Sequence, residues 1–352
     1  MSKMLDEIRQ QPQTLERTLR SELRGFEKLK RSFEAKPPRM VVLAARGTSD
    51  NAAQFGRYLI EITTGIPVSL AAPSVTTLYQ CPLELDDVLV VGISQSGEST
   101  DTNAVLEDAR TRGATTVGIT NEPASRMAGI AEHVLLARAG KEESVAATKT
   151  YTCQLMAFYL LAYALGGKVD TRMLQRIPEW VERVLDLEDS IAEIAERYTF
   201  MLRAVTVGRG LNYSNALELG LKLMETCYVV TERFSAADLM HGPIAMVEHA
   251  FPIFVFAPAG VTWPSISEVL DMVKDLKAET LVFTDEANAS ACAKPARLIR
   301  LPIRCDAADG PADLYTPIPY IVPAQLFAAH LAWIKGLNPD RPRALHKITI
   351  TM

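Results

Sequence analysis

Short, uninterrupted apolar runs alternate along this chain with hydroxyl-rich turns and with segments of helical period. Residues 1–33 carry mixed charges at helical spacing until Pro37-Pro38 breaks the pattern. The run Met40-Val41-Val42-Leu43-Ala44-Ala45 has the look of a strand buried on both faces. Gly47-Thr48-Ser49-Asp50 then reads as a polar turn, and a helical pattern extends from Ala52 to about Thr63. The unit recurs: Val88 to Ile93 predicts a second strand, Ser94 to Thr100 a turn, Asp101 to Arg112 a helix, and Thr115 to Thr120 a further strand. Such alternation predicts an α/β fold with parallel sheets sandwiched by helices.

The pattern also repeats at long range. Gly56, Leu59 and Glu61 recur as Gly220, Leu223 and Glu225, each 164 residues on, and Val105-Leu106 recurs as Val269-Leu270 at the same offset. Arg46-Gly47 and Arg209-Gly210 are one residue out of step, as a single insertion or deletion in the turn would produce. Two homologous three-layer domains are expected, at residues 34–168 and 198–338. An N-terminal helical segment (1–33), a helical linker (169–197) and a C-terminal tail (339–352) complete the organisation. The halves differ where chemistry would lie. Ser94-Gln95-Ser96-Gly97-Glu98-Ser99-Thr100 in the first corresponds to Pro258-Ala259-Gly260-Val261-Thr262-Trp263-Pro264 in the second, so one copy keeps its hydroxyls and the other has lost them.

Composition narrows the classes. With 352 residues, about two domains are expected, and 48% hydrophobic against 22% charged residues excludes disordered and collagenous readings. A net charge of −5 without a basic block argues against a nucleic-acid partner. The longest unbroken apolar run, Leu155 to Leu165, is too short to span a bilayer, and the N-terminus reads as no secretory signal. Five scattered cysteines and five histidines without ligand spacing suggest reduced thiols, no metal and a cytoplasmic setting.

The Ser94–Thr100 turn falls between a buried strand and a helix. Helix N-termini present unpaired N–H groups and partial positive charge, and Ser94, Gln95, Ser96, Ser99 and Thr100 would add donors. Gly97 would admit a close anion. Thr48 and Ser49, at the carboxyl end of the neighbouring strand, would complete a phosphate cradle that uses no arginine or lysine. Plain helix capping accounts for the same residues equally well. Lys222 and Glu225 share one helix face, as a proton-shuttling carboxylate with a cation or as a surface ion pair. His241 sits in a loop with a Gly-Pro break, and Lys347 lies near the C-terminus; residue type alone assigns neither a role.

Taken together, these motifs resemble the sugar-isomerase (SIS) family, in particular the isomerase half of glucosamine-6-phosphate synthase. The resemblance covers nearly the whole chain: Arg46-Gly47-Thr48-Ser49, Ser94-Gln95-Ser96-Gly97-Glu98-Ser99, Glu143 to Thr152, Ala216 to Glu225, Leu239 to Ala245, and Pro342-Arg343-Ala344-Leu345-His346-Lys347. It implies that Thr48, Ser49, Ser94, Gln95, Ser96 and Ser99 hold the phosphate of a hexose 6-phosphate. Glu225 would move the proton between C1 and C2, supported by Lys222. His241, supplied across a homodimer interface, would open the sugar ring. Lys347 would meet the carbonyl carbon, and backbone around Val145 and His346 would close over the sugar. Arg46, Ala147 and Ser99 depart from the family's usual cysteine, serine and threonine. The chain also opens Met1-Ser2, without the synthase's glutaminase domain. The reaction implied is therefore deamination of glucosamine 6-phosphate to fructose 6-phosphate and ammonia, with no metal or organic cofactor and no nucleic-acid or membrane partner. Another phosphosugar, such as galactosamine 6-phosphate or a fructosamine 6-phosphate, or a non-catalytic sugar-phosphate sensor, remains the alternative.

Overall fold

The computed structural model describes residues 2–294, 296–304 and 310–345. They form two compact units, each built on its own five-stranded parallel sheet. The first unit comprises residues 13–142 and 149–175, and the second residues 2–12, 143–148 and 176–344.

The chain opens with α1 (Lys3–Arg9) and α2 (Gln11–Ala35). In α2, Leu15, Leu19, Phe26, Leu29 and Phe33 are buried, at the three- and four-residue spacing of one helix face. There follow β1 (Met40–Ala44), α3 (Thr48–Thr64), β2 (Val68–Leu70), α4 (Pro73–Thr77), β3 (Val88–Ser94), α5 (Thr100–Thr111), β4 (Thr115–Thr120), α6 (Arg126–Ile130), β5 (His133–Leu136) and α7 (Lys149–Ala164). The sheet runs β2-β1-β3-β4-β5 with every pairing parallel. Every residue of β3 is buried, as expected of a central strand covered on both faces.

The chain continues through α8 (Thr171–Leu185), α9 (Glu188–Glu196), β6 (Arg203–Gly208), α10 (Tyr213–Cys227), β7 (Val230–Ser235), α11 (Ala236–Met240), β8 (Pro252–Phe256), α12 (Trp263–Asp275), β9 (Glu279–Asp285), α13 (Ala289–Cys292), β10 (Arg297–Leu301) and α14 (Pro317–Ile334), the main stretch of the second unit starting within α8 at Arg176. Its sheet order, β7-β6-β8-β9-β10, copies the first. The starts of β3 and β8 (Val88, Pro252), of β4 and β9 (Thr115, Glu279) and of β5 and β10 (His133, Arg297) all differ by the sequence offset. The glycines of the staggered turn, Gly47 and Gly210, both adopt φ +57°. Gly56 and Gly220 are alike in function: a Cβ would lie 2.3 Å from the Phe158 ring at the first and 2.5 Å from Arg233 Cγ at the second.

One expectation changes. α3 begins at Thr48, not near Ala52, so Thr48 and Ser49 belong to the helix's first turn. By length and composition α14 could cross a bilayer, yet 83% of it is buried in the fold, where Gln325 takes a hydrogen bond from Gln11 and His330 meets Glu188.

Candidate active site

In the first unit the strand order reverses between β1 and β3, and crevices at such points, outside the carboxyl ends of the strands, are where open α/β sheets bind ligands. The β1–α3 turn and the β3–α5 loop leave from these two strands. Gly97 is held at φ +67°, and a Cβ there would lie 2.1 Å from Ser125 Oγ. Its carbonyl accepts from Asn103 Nδ2 and from the Met127 amide, each at 3.0 Å. The loop's curvature is therefore set by glycine and locked by α5 and α6.

Three hydroxyls share one arrangement. Ser94 Oγ accepts from the Gly97 amide at 3.1 Å, Ser96 Oγ from the Glu98 amide at 3.2 Å, and Ser49 Oγ from Gln154 Nε2 at 2.9 Å. A hydroxyl that accepts from a protein donor keeps its own hydrogen to give. Fixed oxygens with protons to donate are what a phosphate requires. Ser99 Oγ lies 3.0 Å from Thr102 Oγ1 at the start of α5. Gln95 stands within the loop, its carbonyl accepting from the Asn121 amide at 3.1 Å.

A group that the sequence reading left out of the cradle joins this constellation. Arg46 Nε and Nη2 donate to Asp101 Oδ2 at 3.1 and 2.7 Å. Asp101 lies buried in the first turn of α5, so an arginine reaches the helix that the loop opens. Gln154 was also missed. The pairs are 55 and 105 residues apart in sequence, and no local signal marks them.

The second unit holds Val145, Lys222, Glu225 and His241. On α10, Lys222 Nζ lies 2.5 Å from Glu225 Oε2 and 3.5 Å from Glu218 Oε1. Lys222 and Glu218 are buried, while the Glu225 side chain is 23% exposed. The surface-ion-pair reading is therefore wrong: the pair hangs on a buried lysine that also satisfies a buried glutamate, and only Glu225 reaches solvent. α10 ends on Tyr228 in the left-handed conformation, φ +54°. The Tyr228 hydroxyl accepts from the Arg343 amide at 2.9 Å, and the Arg343 guanidinium stacks 4.1 Å from the ring centroid. The chain leading to the C-terminal tail is thus moored beside the end of the helix that carries Glu225.

Val145 is moored to the same segment, its amide donating to the Asp340 carbonyl at 3.2 Å. The Asp340 carboxylate accepts from Ser2 Oγ and from the Lys3 and Met4 amides at 2.8–2.9 Å, capping α1 from outside its own sequence. Glu7 of α1 in turn accepts from the Glu143 and Ser144 amides. His241 is exposed just past α11, its amide bonded to the Ala237 and Asp238 carbonyls. His346 and Lys347 lie outside the described residues. Among the described residues no cluster of histidine, cysteine and carboxylate suits a metal ion.

A doubly wound α/β protein with a hydroxyl-lined turn at the switch point of one sheet is the class that fold and site define. The chain belongs to the SIS domain family, whose profile matches residues 35–164 and 202–335. It is 38% identical over 318 residues to the isomerizing glutamine–fructose-6-phosphate aminotransferase of Pyrococcus horikoshii, a match covering 87% of this chain and 51% of the relative. The corresponding enzyme of Aquifex aeolicus is 34% identical over 351 residues, covering 99% and 57%. The chain thus spans about half the length of the curated relatives it matches. Among solved structures, the C-terminal domain of glucosamine-fructose-6-phosphate aminotransferase from Francisella tularensis superposes with a TM-score of 0.86 at 28% identity, covering 97% and 98% of the two chains. A glucosamine-6-phosphate deaminase from Thermotoga maritima shares the fold, with a TM-score of 0.76 at 21% identity over 99% and 100%.

Proposed function

We propose that this protein is a phosphosugar deaminase with aldose–ketose isomerase chemistry, converting glucosamine 6-phosphate and water to fructose 6-phosphate and ammonia. The observation that carries the reading is Glu225: a partly exposed carboxylate held 2.5 Å from a buried lysine. A fixed carboxylate of this kind suits proton transfer between adjacent carbons. In the open-chain sugar it removes the C2 proton and returns it to C1. The C1 aldehyde becomes a hydroxymethyl group and the C2 amine an imine, which water hydrolyses to the ketone and ammonia. The hydroxyls around Gly97 hold the 6-phosphate, and Lys347, outside the described residues, stabilises the enolamine as a cation or amine. His241, exposed on its own chain, assists ring opening from the second copy of a homodimer.

Ammonia release from glucosamine 6-phosphate, coupled to detection of fructose 6-phosphate, tests the reading. Both products are expected at turnover rates, and Glu225→Gln should abolish them while sparing ligand binding. Mixing the Glu225→Gln and His241→Ala proteins should recover part of the activity if the histidine crosses between copies. Galactosamine 6-phosphate or a fructosamine 6-phosphate turning over instead would replace the substrate. Binding without turnover of any of them would make the protein a sensor.

A further inference from the structure

Arg46 ends the first strand's exit and immediately precedes Gly47-Thr48-Ser49; Asp101 follows Ser99 by two residues. Their ion pair therefore ties the two loops of the cradle across the switch point. The pair is asymmetric. The Asp101 side chain is 5% exposed, whereas that of Arg46 is 53% exposed. Two nitrogens of the guanidinium converge on one carboxylate oxygen, which leaves three of its five N–H donors to point elsewhere. A buried carboxylate in the first turn of a cradle helix would, unpaired, repel the dianion that the cradle is built to take. Arg46 cancels that charge. Its planar fork is also suited to phosphate oxygens as well as to carboxylates.

We propose that Arg46 is a phosphate-binding and specificity-determining residue of this site, oriented by Asp101 and presenting its outward donors to the phosphomonoester of the substrate. The assignment rests on the phosphosugar reading above and adds to it a charge requirement: dianionic phosphomonoesters bind, and neutral sugars of the same shape do not. Asp101 is a positioning residue, acting through the guanidinium.

The test is equilibrium titration of inorganic phosphate and of glucosamine 6-phosphate by calorimetry, beside steady-state kinetics. Loss of one charge-assisted hydrogen-bonding group should weaken both ligands about 10- to 100-fold in Arg46→Ala, with the kinetic loss falling on KM more than on kcat. Arg46→Lys should retain part of the affinity. Adding Asp101→Asn to Arg46→Ala should restore part of it by removing the carboxylate charge that Arg46 no longer offsets, a recovery that a merely structural ion pair would not give. Arg57→Ala removes a cation from α3 outside the cradle loops and should leave both affinities unchanged. Phosphate affinity within twofold of wild type in a folded Arg46→Ala protein would overturn the proposal, as would equal losses in Arg57→Ala. Because phosphate binding is read without turnover, Arg46-dependent binding in a protein that releases no ammonia would overturn the deaminase reading alone.

Discussion

Lys222 and Glu225 are three residues apart on α10, and burial makes them unequal. The lysine is enclosed and balances Glu218, which is enclosed as well, while Glu225 keeps contact with solvent. Removing the lysine takes away the cation 3.5 Å from a buried carboxylate, and breaking a buried ion pair costs about 3–5 kcal/mol. Removing the charge of Glu225 leaves the Lys222–Glu218 pair in place. Lys222→Met should therefore lower stability by about 3 kcal/mol and lose activity as well. Glu225→Gln should lose activity with a smaller stability change than Lys222→Met, because Lys222 keeps Glu218 beside it. Chemical denaturation of the two variants separates them. A Lys222→Met protein as stable as wild type would mean that the buried pair is not what holds this part of α10. Helical spacing put both residues on one face; it carried no information on whether that face was covered, because the covering elements come from elsewhere in the chain.

Three elements meet at Asp340. Its carboxylate caps α1, its carbonyl takes the Val145 amide, and three residues further on Arg343 is stacked on Tyr228. Without the carboxylate, α1 loses its cap and the favourable charge at its N-terminus, typically about 1 kcal/mol. Asp340→Ala should raise hydrogen-exchange rates at the amides of residues 3, 4 and 145 together, since one side chain and its backbone serve all three. Faster exchange at 3 and 4 alone would make the clasp a simple helix cap. The strands were legible in the sequence because parallel strands covered on both faces must be uninterruptedly apolar, as Val88 to Ile93 is. The start of α3 was not, because Thr48 and Ser49 favour turns and helix N-termini alike. Asp340 gave no signal either: a capping residue more than 300 positions from its helix has no pattern of its own.

At the scale of the whole chain, the same topology occurs twice, with the hydroxyl-rich turn in only one copy. In the second unit the loop after β8 is occupied by its own chain: Ala312 Cβ lies 3.1 Å from where a Cβ of Gly260 would be, and Thr262 Oγ1 donates to Asp313 Oδ2 at 3.3 Å. The repeat was visible as an offset and the loss as a change of composition, but the segment that fills the turn was not. It brings a buried carboxylate with it. Burial raises the Asp313 carboxyl above its ordinary value, and Oδ1 has no hydrogen-bond partner among the described residues. Glu279 in the same unit behaves oppositely. A two-pronged hydrogen bond from Arg197 outweighs burial and holds its carboxyl below the usual range. The signs follow from linkage. A lowered folded value makes Glu279 stabilising above the ordinary carboxylate range, and that contribution is lost as pH falls through the folded value. A raised folded value makes ionised Asp313 a cost at neutral pH, relieved as pH falls through it. Glu279→Gln should therefore lower Tm and Asp313→Asn should raise it at pH 7; in thermal scans carried to about pH 4, the model-peptide carboxylate range, the Asp313 difference should shrink towards zero, whereas the Glu279 difference should persist there and shrink only at lower pH. An Asp313→Asn protein that melts below wild type at pH 7 would show that the carboxylate, despite its unpaired oxygen, is held by more than Thr262.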